Sequence, residues 1–274
     1  MVEVTCKRVI YNRGSMLYEV EDDEGKLMVL KIVPHENEIM NEVMVLSSVE
    51  SPHIIKGYAH GYCIRPSVGS KVQFCHKKRG AVPFLLVERG EMSLVNVDSS
   101  ISPLTILEQA ASGLMALHDA HFIHCDIKDA NMLLMSDGRV AICDFGISCH
   151  VNDACRIERQ LCTQGFKPPE ALMRNPSYYT TAIDIWSLGM VIHTRLFGPP
   201  FGSYQCAMRR DESAVFNDMI EWYQNGRQIL HDHGAIGHLI YSMMEWSPYE
   251  RPTAAQVYEN VQTIRQNESM SSDT

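Results

Sequence analysis

Apolar and polar residues alternate at short range along the first part of the chain. Val4, Val9, Leu17 and Val20, then Leu27, Val29 and Ile32, flank the acidic turn Glu21-Asp22-Asp23-Glu24-Gly25, a pattern that predicts antiparallel strands joined by a hairpin. Over residues 36–49 the period changes. Ile39, Val43, Leu46 and Val49 fall three or four apart, the spacing of one helix face, and Ser51-Pro52 ends the segment. Strand-like runs follow at 54–62 and 82–88, separated by a loop at 65–79 that carries Gly, Pro, Ser and several Lys. Beyond Glu88 the apolar residues keep helical offsets through 104–118, 183–196, 214–223, 229–245 and 254–264. A small β-rich part therefore precedes a larger α-rich part. The hinge falls near 88–94, and the polar, acidic tail 267–274 is expected to be disordered.

Composition narrows the classes without naming one. With 274 residues, 45% apolar and 21% charged, the chain has ordinary globular usage. Its net charge of -9 argues against a general nucleic-acid binder, which carries a basic stripe for phosphates. Nine cysteines without a C-x-x-C pair point to reduced thiols in a cytoplasmic or nuclear setting. His231 with His233, and Cys75 with His76, lack a second pair at metal-ligand spacing. The opening MVEVTCKRVI has no apolar signal core, and the longest apolar run, 185–192, is far short of the roughly 20 residues of a membrane span. A soluble intracellular protein, monomeric, without membrane or nucleic-acid partners, is expected.

The candidate chemistry lies in the middle of the chain. His124-Cys125-Asp126-Ile127-Lys128-Asp129-Ala130-Asn131 is followed by an apolar strand, a turn at Ser136-Asp137-Gly138, another strand, and Asp144-Phe145-Gly146. Phosphoryl transfer needs a carboxylate that accepts a hydroxyl proton, plus acidic and amide oxygens that hold magnesium against the phosphates. Each type is present, in order. This segment resembles the H-R-D-x-x-x-x-N and D-F-G pattern of the eukaryotic protein kinase family, with one substitution.

The resemblance implies an α+β bilobal fold, with a five-stranded antiparallel small lobe bearing one helix, and a larger, mainly helical lobe. It places a kinase domain at 1–266, with lobes at about 1–88 and 94–266 and ATP between them. Carried over, Asp126 resembles the catalytic base, Lys128 the γ-phosphate-steadying lysine of the Ser/Thr branch, and Asn131 and Asp144 the Mg2+ ligands. Lys31 in Met28-Val29-Leu30-Lys31 resembles the lysine that contacts the α and β phosphates. Its glutamate partner is Glu42, or Glu38 one turn earlier. Adenine is expected to bond to backbone at 88–90, beginning at Glu88, below Val20 and Val29 and above Leu133, with Val87 as gatekeeper. Thr163 matches the threonine that bridges base and lysine. Lys167-Pro168-Pro169-Glu170 resembles the A-P-E segment, Arg251 its arginine partner, and Asp184 the aspartate that anchors the catalytic loop.

Two departures stand out. The glycine-rich loop aligns with Asn12-Arg13-Gly14-Ser15-Met16-Leu17 and keeps only Gly14, although glycines there let backbone N–H groups approach phosphates. Cys125 replaces the arginine that pairs with a phosphorylated activation loop, so activity independent of that phosphorylation is expected. The eroded loop and compact lobes also resemble divergent kinases of large DNA viruses, which act in the host cell. Two readings of function follow: a Ser/Thr kinase acting on protein hydroxyls with Mg-ATP, and a kinase-shaped binding module with little or no transfer.

Overall fold

The structure is a computed structural model that describes residues 3–13, 15–98, 100–156, 162–175, 179–200 and 212–272. The first part is one antiparallel sheet formed by β1 (Val4–Arg13), β2 (Ser15–Asp22), β3 (Leu27–Ile32), β4 (Gly57–Ile64), β5 (Gln73–Cys75) and β6 (Ala81–Glu88). Its strand order is β1-β2-β3-β6-β4-β5. Helix α1 (Asn37–Ser48) lies between β3 and β4 in the chain and packs on the sheet through Ile39 and Val43 against Val33 and Leu85. The other face curls around a second core that contains Tyr18, Val20, Leu30, Ile32, Phe84 and Leu86. The curl nearly closes, because Cys6 N donates to Ser70 O at 2.9 Å and Val72 N to Val4 O at 2.8 Å.

The sheet has six strands where five were expected. The extra one is β5, within the polar loop 65–79: three residues are too few to show a period, and Phe74 is fixed by its ring contact with Phe84, centroids 4.7 Å apart.

After β6 come the short strand β7 (Met92–Ser93), helix α2 (Pro103–Asp119), β8 (Phe122–Ile123), β9 (Met132–Leu134), β10 (Val140–Ile142), β11 (Cys149–His150), α3 (Pro169–Leu172), α4 (Ala182–Phe197), α5 (Glu212–Glu221), α6 (Gly234–Met243) and α7 (Ala254–Ser272). Ser102 caps α2, accepting Thr105 N at 3.1 Å, and Pro103 starts the helix where a missing N–H costs nothing. Helix α4 is buried from Ala182 to His193, as its nearly continuous apolar sequence requires. The run 229–245 is not one helix. A tight turn, Arg227–His233, precedes α6, and Gly234 at φ +61 separates them in a backbone region that side chains disfavour. Residues 267–272, expected to be disordered, continue α7, since no Gly or Pro follows Pro252 to stop the helix.

The two parts are stitched behind the hinge. Ile55 N donates to Ile142 O and Ile142 N to His53 O, both at 2.9 Å. Gly113 of α2 lies so close that a Cβ there would meet His53 O at 2.6 Å, so only glycine lets the helix approach. No helix among the described residues is long and apolar enough to cross a membrane.

Candidate active site

A cleft of about 400 Å³ opens between the sheet and the helical part. Leu17 and Val29 line its roof, Leu133 its floor, Ile55 and Val87 its back, and Glu88 and Gly90 its edge. Gly90 has a steric reason, since a Cβ there would meet that of Leu133 at 2.8 Å. Ile10, Tyr11, Glu91, Met92 and Ser93 also line the cleft, and the motifs pointed to none of them.

Val20 does not face the cleft. It is fully buried in the core on the opposite face of the sheet. β1 and β2 pair as far as Arg13 opposite Ser15. Across the next ladder, Leu17 pairs with Lys31 and Glu19 with Val29, while Val20 pairs with Met28. Parity therefore puts Leu17 in the roof. Gly14 lies outside the described residues.

Lys31 projects from β3 to an ion pair with Glu42 of α1 and reaches Asp144 Oδ1 at 3.2 Å. The packing of Ile39 and Val43 turns Glu42 inward, and the alternative, Glu38, is exposed beside an adjoining polar pocket. Burial disfavours the Lys31 ammonium, but Glu42 and Asp144 outweigh it and its pKa is raised. Burial likewise opposes the Asp144 carboxylate, and Lys31 overcomes it, so Asp144 titrates below the usual range. Asn41, unremarked in the sequence, donates from Nδ2 to Gly146 O at 3.0 Å and ties α1 to the D-F-G turn a second time.

The loop between β8 and β9 is held from below. Asp184 at the start of α4 accepts His124 N at 2.8 Å and Cys125 N at 2.9 Å, and lies 2.9 Å from His118 Nε2. His124 Nε2 donates to Cys143 O at 3.1 Å, while its Nδ1 accepts Asp126 N at 3.2 Å, so the ring bridges the loop and β10's end. Cys125 and Asp144 both have left-handed backbone, φ +67 and +65, a conformation that side chains adopt only when the surroundings hold it.

Asp126 is the centre of the network. Its Oδ1 accepts Thr163 N at 2.9 Å and Thr163 Oγ1 at 2.6 Å. Its Oδ2 accepts Lys128 Nζ at 2.7 Å and Asn131 Nδ2 at 3.1 Å. Lys128 Nζ also donates to Thr163 Oγ1 at 2.8 Å. Asn131 spends its amide nitrogen on Asp126, including the carbonyl at 2.9 Å, which leaves its oxygen for a cation. Below, Glu170 and Arg251 form a buried two-point ion pair at 2.7 and 2.8 Å.

At the hinge end of the cleft an ionic clasp joins three elements. Glu19 of β2 accepts Arg8 of β1 at two points, both 3.0 Å, and Arg89 of the hinge at 2.7 Å; Arg89 also reaches Glu91 at 2.6 Å. The Glu88 side chain is engaged by Arg139. No local motif signals these partners.

This arrangement of curled sheet, helical lobe and intervening cleft defines a protein kinase fold. The chain matches the protein kinase domain family over residues 12–261 and belongs to it. It is 29% identical over 195 residues to a probable cell cycle serine/threonine-protein kinase, a CDC5 homolog of Encephalitozoon cuniculi, covering 67% of this chain and 39% of that protein. It is 29% identical over 202 residues to the serine/threonine-protein kinase CLA4 of Eremothecium gossypii, covering 69% and 24%. It is also 26% identical over 265 residues to the inactive serine/threonine-protein kinase PLK5 of Mus musculus, covering 89% and 41%. The chain thus spans less than half of each of these relatives.

Proposed function

We propose that the chain is an active Ser/Thr protein kinase that transfers the γ-phosphoryl group of ATP to protein hydroxyls. The observation that carries the reading is the closed set of bonds among Asp126, Lys128 and Thr163, facing Lys31, Glu42 and Asp144 across one cleft. A fold kept only for binding has no physical need of these groups together.

Adenine lies between Leu17 and Val29 above and Leu133 below, bonded to backbone at 88–90. Lys31, held by Glu42, contacts the α and β phosphates. Asp144 and Asn131 supply a carboxylate and an amide oxygen, the hard donors that magnesium takes, and the Asp144 side chain is half exposed toward the cleft. Magnesium, when bound there, neutralises charge on the β and γ phosphates. The acceptor hydroxyl oxygen attacks the γ phosphorus, the bond to the β–γ bridging oxygen breaks, and the hydroxyl proton passes to Asp126. Lys128 steadies the γ phosphate.

The test is transfer of labelled γ-phosphate to generic protein substrates by the chain and by its Asp126→Ala variant. Transfer lost in the variant supports the reading. No transfer from either, with metals and substrates varied, replaces it by a kinase-shaped binding module, the reading that the name of one similar protein, an inactive kinase, supports.

A further inference from the structure

We propose that Cys125 and Cys149 are a thiol pair that peroxide converts to a reversible disulfide, stapling the catalytic loop to the segment after the D-F-G turn. Their Sγ atoms are 3.6 Å apart, in contact. The two sit in a small apolar cluster with Ile123, Cys162, Ala171, Tyr179 and Ile183, and the buried Asp184 carboxylate borders it where it accepts Cys125 N. β8 and β11 bring the two segments together: Cys149 pairs with Ile123, two residues before Cys125. Val151 N, donating to His121 O at 2.9 Å, and Ser148 Oγ, donating to His124 O at 3.1 Å, bind the two segments on either side of the pair. A disulfide needs about 2.05 Å, so the sulfurs must close by roughly 1.5 Å, within the reach of side-chain rotation.

Exposure sets the order of events. Cys125 is fully buried and Cys149 is 8% exposed. The Cys149 sulfur attacks a peroxide oxygen; the O–O bond breaks, giving a sulfenic acid and one water. The Cys125 sulfur then attacks the sulfenic sulfur; the S–O bond breaks, and the hydroxyl leaves with the Cys125 proton as a second water. Two thiols are oxidised and one peroxide is reduced to two waters. The hydrogen bond with Cys149, and then burial, push the Cys125 thiol up, so little of it is thiolate and the resolving step is slow. The bond would close a 24-residue span around Asp144 and fix Cys125 next to Asp126.

The test needs no phosphoryl transfer, so it stands or falls apart from the kinase reading. The folded chain is treated with hydrogen peroxide, its remaining thiols are alkylated, and non-reduced peptides are mapped by mass spectrometry. A Cys125–Cys149 linked peptide is expected, 2 Da below the sum of its parts, reversed by dithiothreitol and absent from Cys149→Ser. The oxidised wild type should gain about 5 °C in Tm through constraint of its unfolded state. The proposal is overturned if Cys125 and Cys149 are recovered alkylated while half-buried Cys75 is oxidised. It is equally overturned if Cys125 links to Cys162, or if the link forms only in the urea-unfolded chain.

Discussion

Thr163 Oγ1 donates to Asp126 Oδ1 at 2.6 Å and accepts Lys128 Nζ at 2.8 Å, so one hydroxyl orients both groups of the proposed chemistry. Thr163→Val keeps the shape and removes both bonds. Hydrogen bonds to charged groups contribute about 1.5–3 kcal/mol, so kcat should fall roughly 10- to 100-fold with the KM for ATP little changed. Steady-state kinetics on a protein substrate decide it, and unchanged kcat would show that the bridge is ornamental. Asp126→Asn, which removes the proton acceptor itself, should reduce kcat by about 10³-fold or more.

Glu170 and Arg251 are a different kind of pair, both side chains being almost wholly buried. Arg251 also donates to the carbonyls of Ala182, Glu245 and Trp246, so it joins the activation segment to the start of α4 and the end of α6. Arg251→Met leaves a buried carboxylate alone, at a cost of about 3–5 kcal/mol. Urea unfolding should show that loss, and the double variant Arg251→Met, Glu170→Leu should recover part of it. A double variant no better than the single one would contradict this account.

Glu19 gives a dependence on pH whose sign can be worked out. The hydrogen bond from Arg8 is the largest influence and lowers its pKa, burial opposes, and Arg89 adds to the lowering. A carboxyl depressed in the folded state stabilises the protein above its unfolded pKa, near 4.3, and that stabilisation is lost as pH falls through the folded value. Wild type should therefore be more stable than Glu19→Gln at pH 7, with the gap closing as pH drops below about 4. A gap of equal size at both ends, measured by urea unfolding, would rule out the carboxylate as its source.

What was legible in the sequence was chemistry packed into short contiguous stretches. His124 to Asn131 and Asp144 to Gly146 need no long-range knowledge to be seen, and the kinase family and bilobal fold followed from them. The groups missed are those whose partners are far along the chain: Asn41 meets Gly146 over 105 residues, and Arg89 meets Glu19 over 70. The spacing of Leu46 and Ser51-Pro52 favours Glu42 over Glu38, and the packing of α1 against Val33 and Leu85 turns Glu42 inward. Residues 267–272 prolong a helix whose earlier turns are already anchored by Val257, Val261 and Ile264.

The exchange of Val20 for Leu17 can be tested by separating binding from stability. Leu17 lines the cleft and is half-buried, whereas Val20 touches no part of it and is fully buried among Tyr18, Met28 and Leu30. Leu17→Ala removes an apolar contact over the adenine and little from either core, so ATP affinity should fall about tenfold, equivalent to roughly 1.4 kcal/mol of lost contact. Val20→Ala opens a small cavity in the sheet core, which should cost about 2 kcal/mol of stability with ATP affinity unchanged. Calorimetric titration with ATP and urea unfolding of both variants separate the two effects. If Val20→Ala were instead the variant that weakened ATP binding without loss of stability, the parity of the β2 ladder would be wrong, and with it the roof of the proposed nucleotide site.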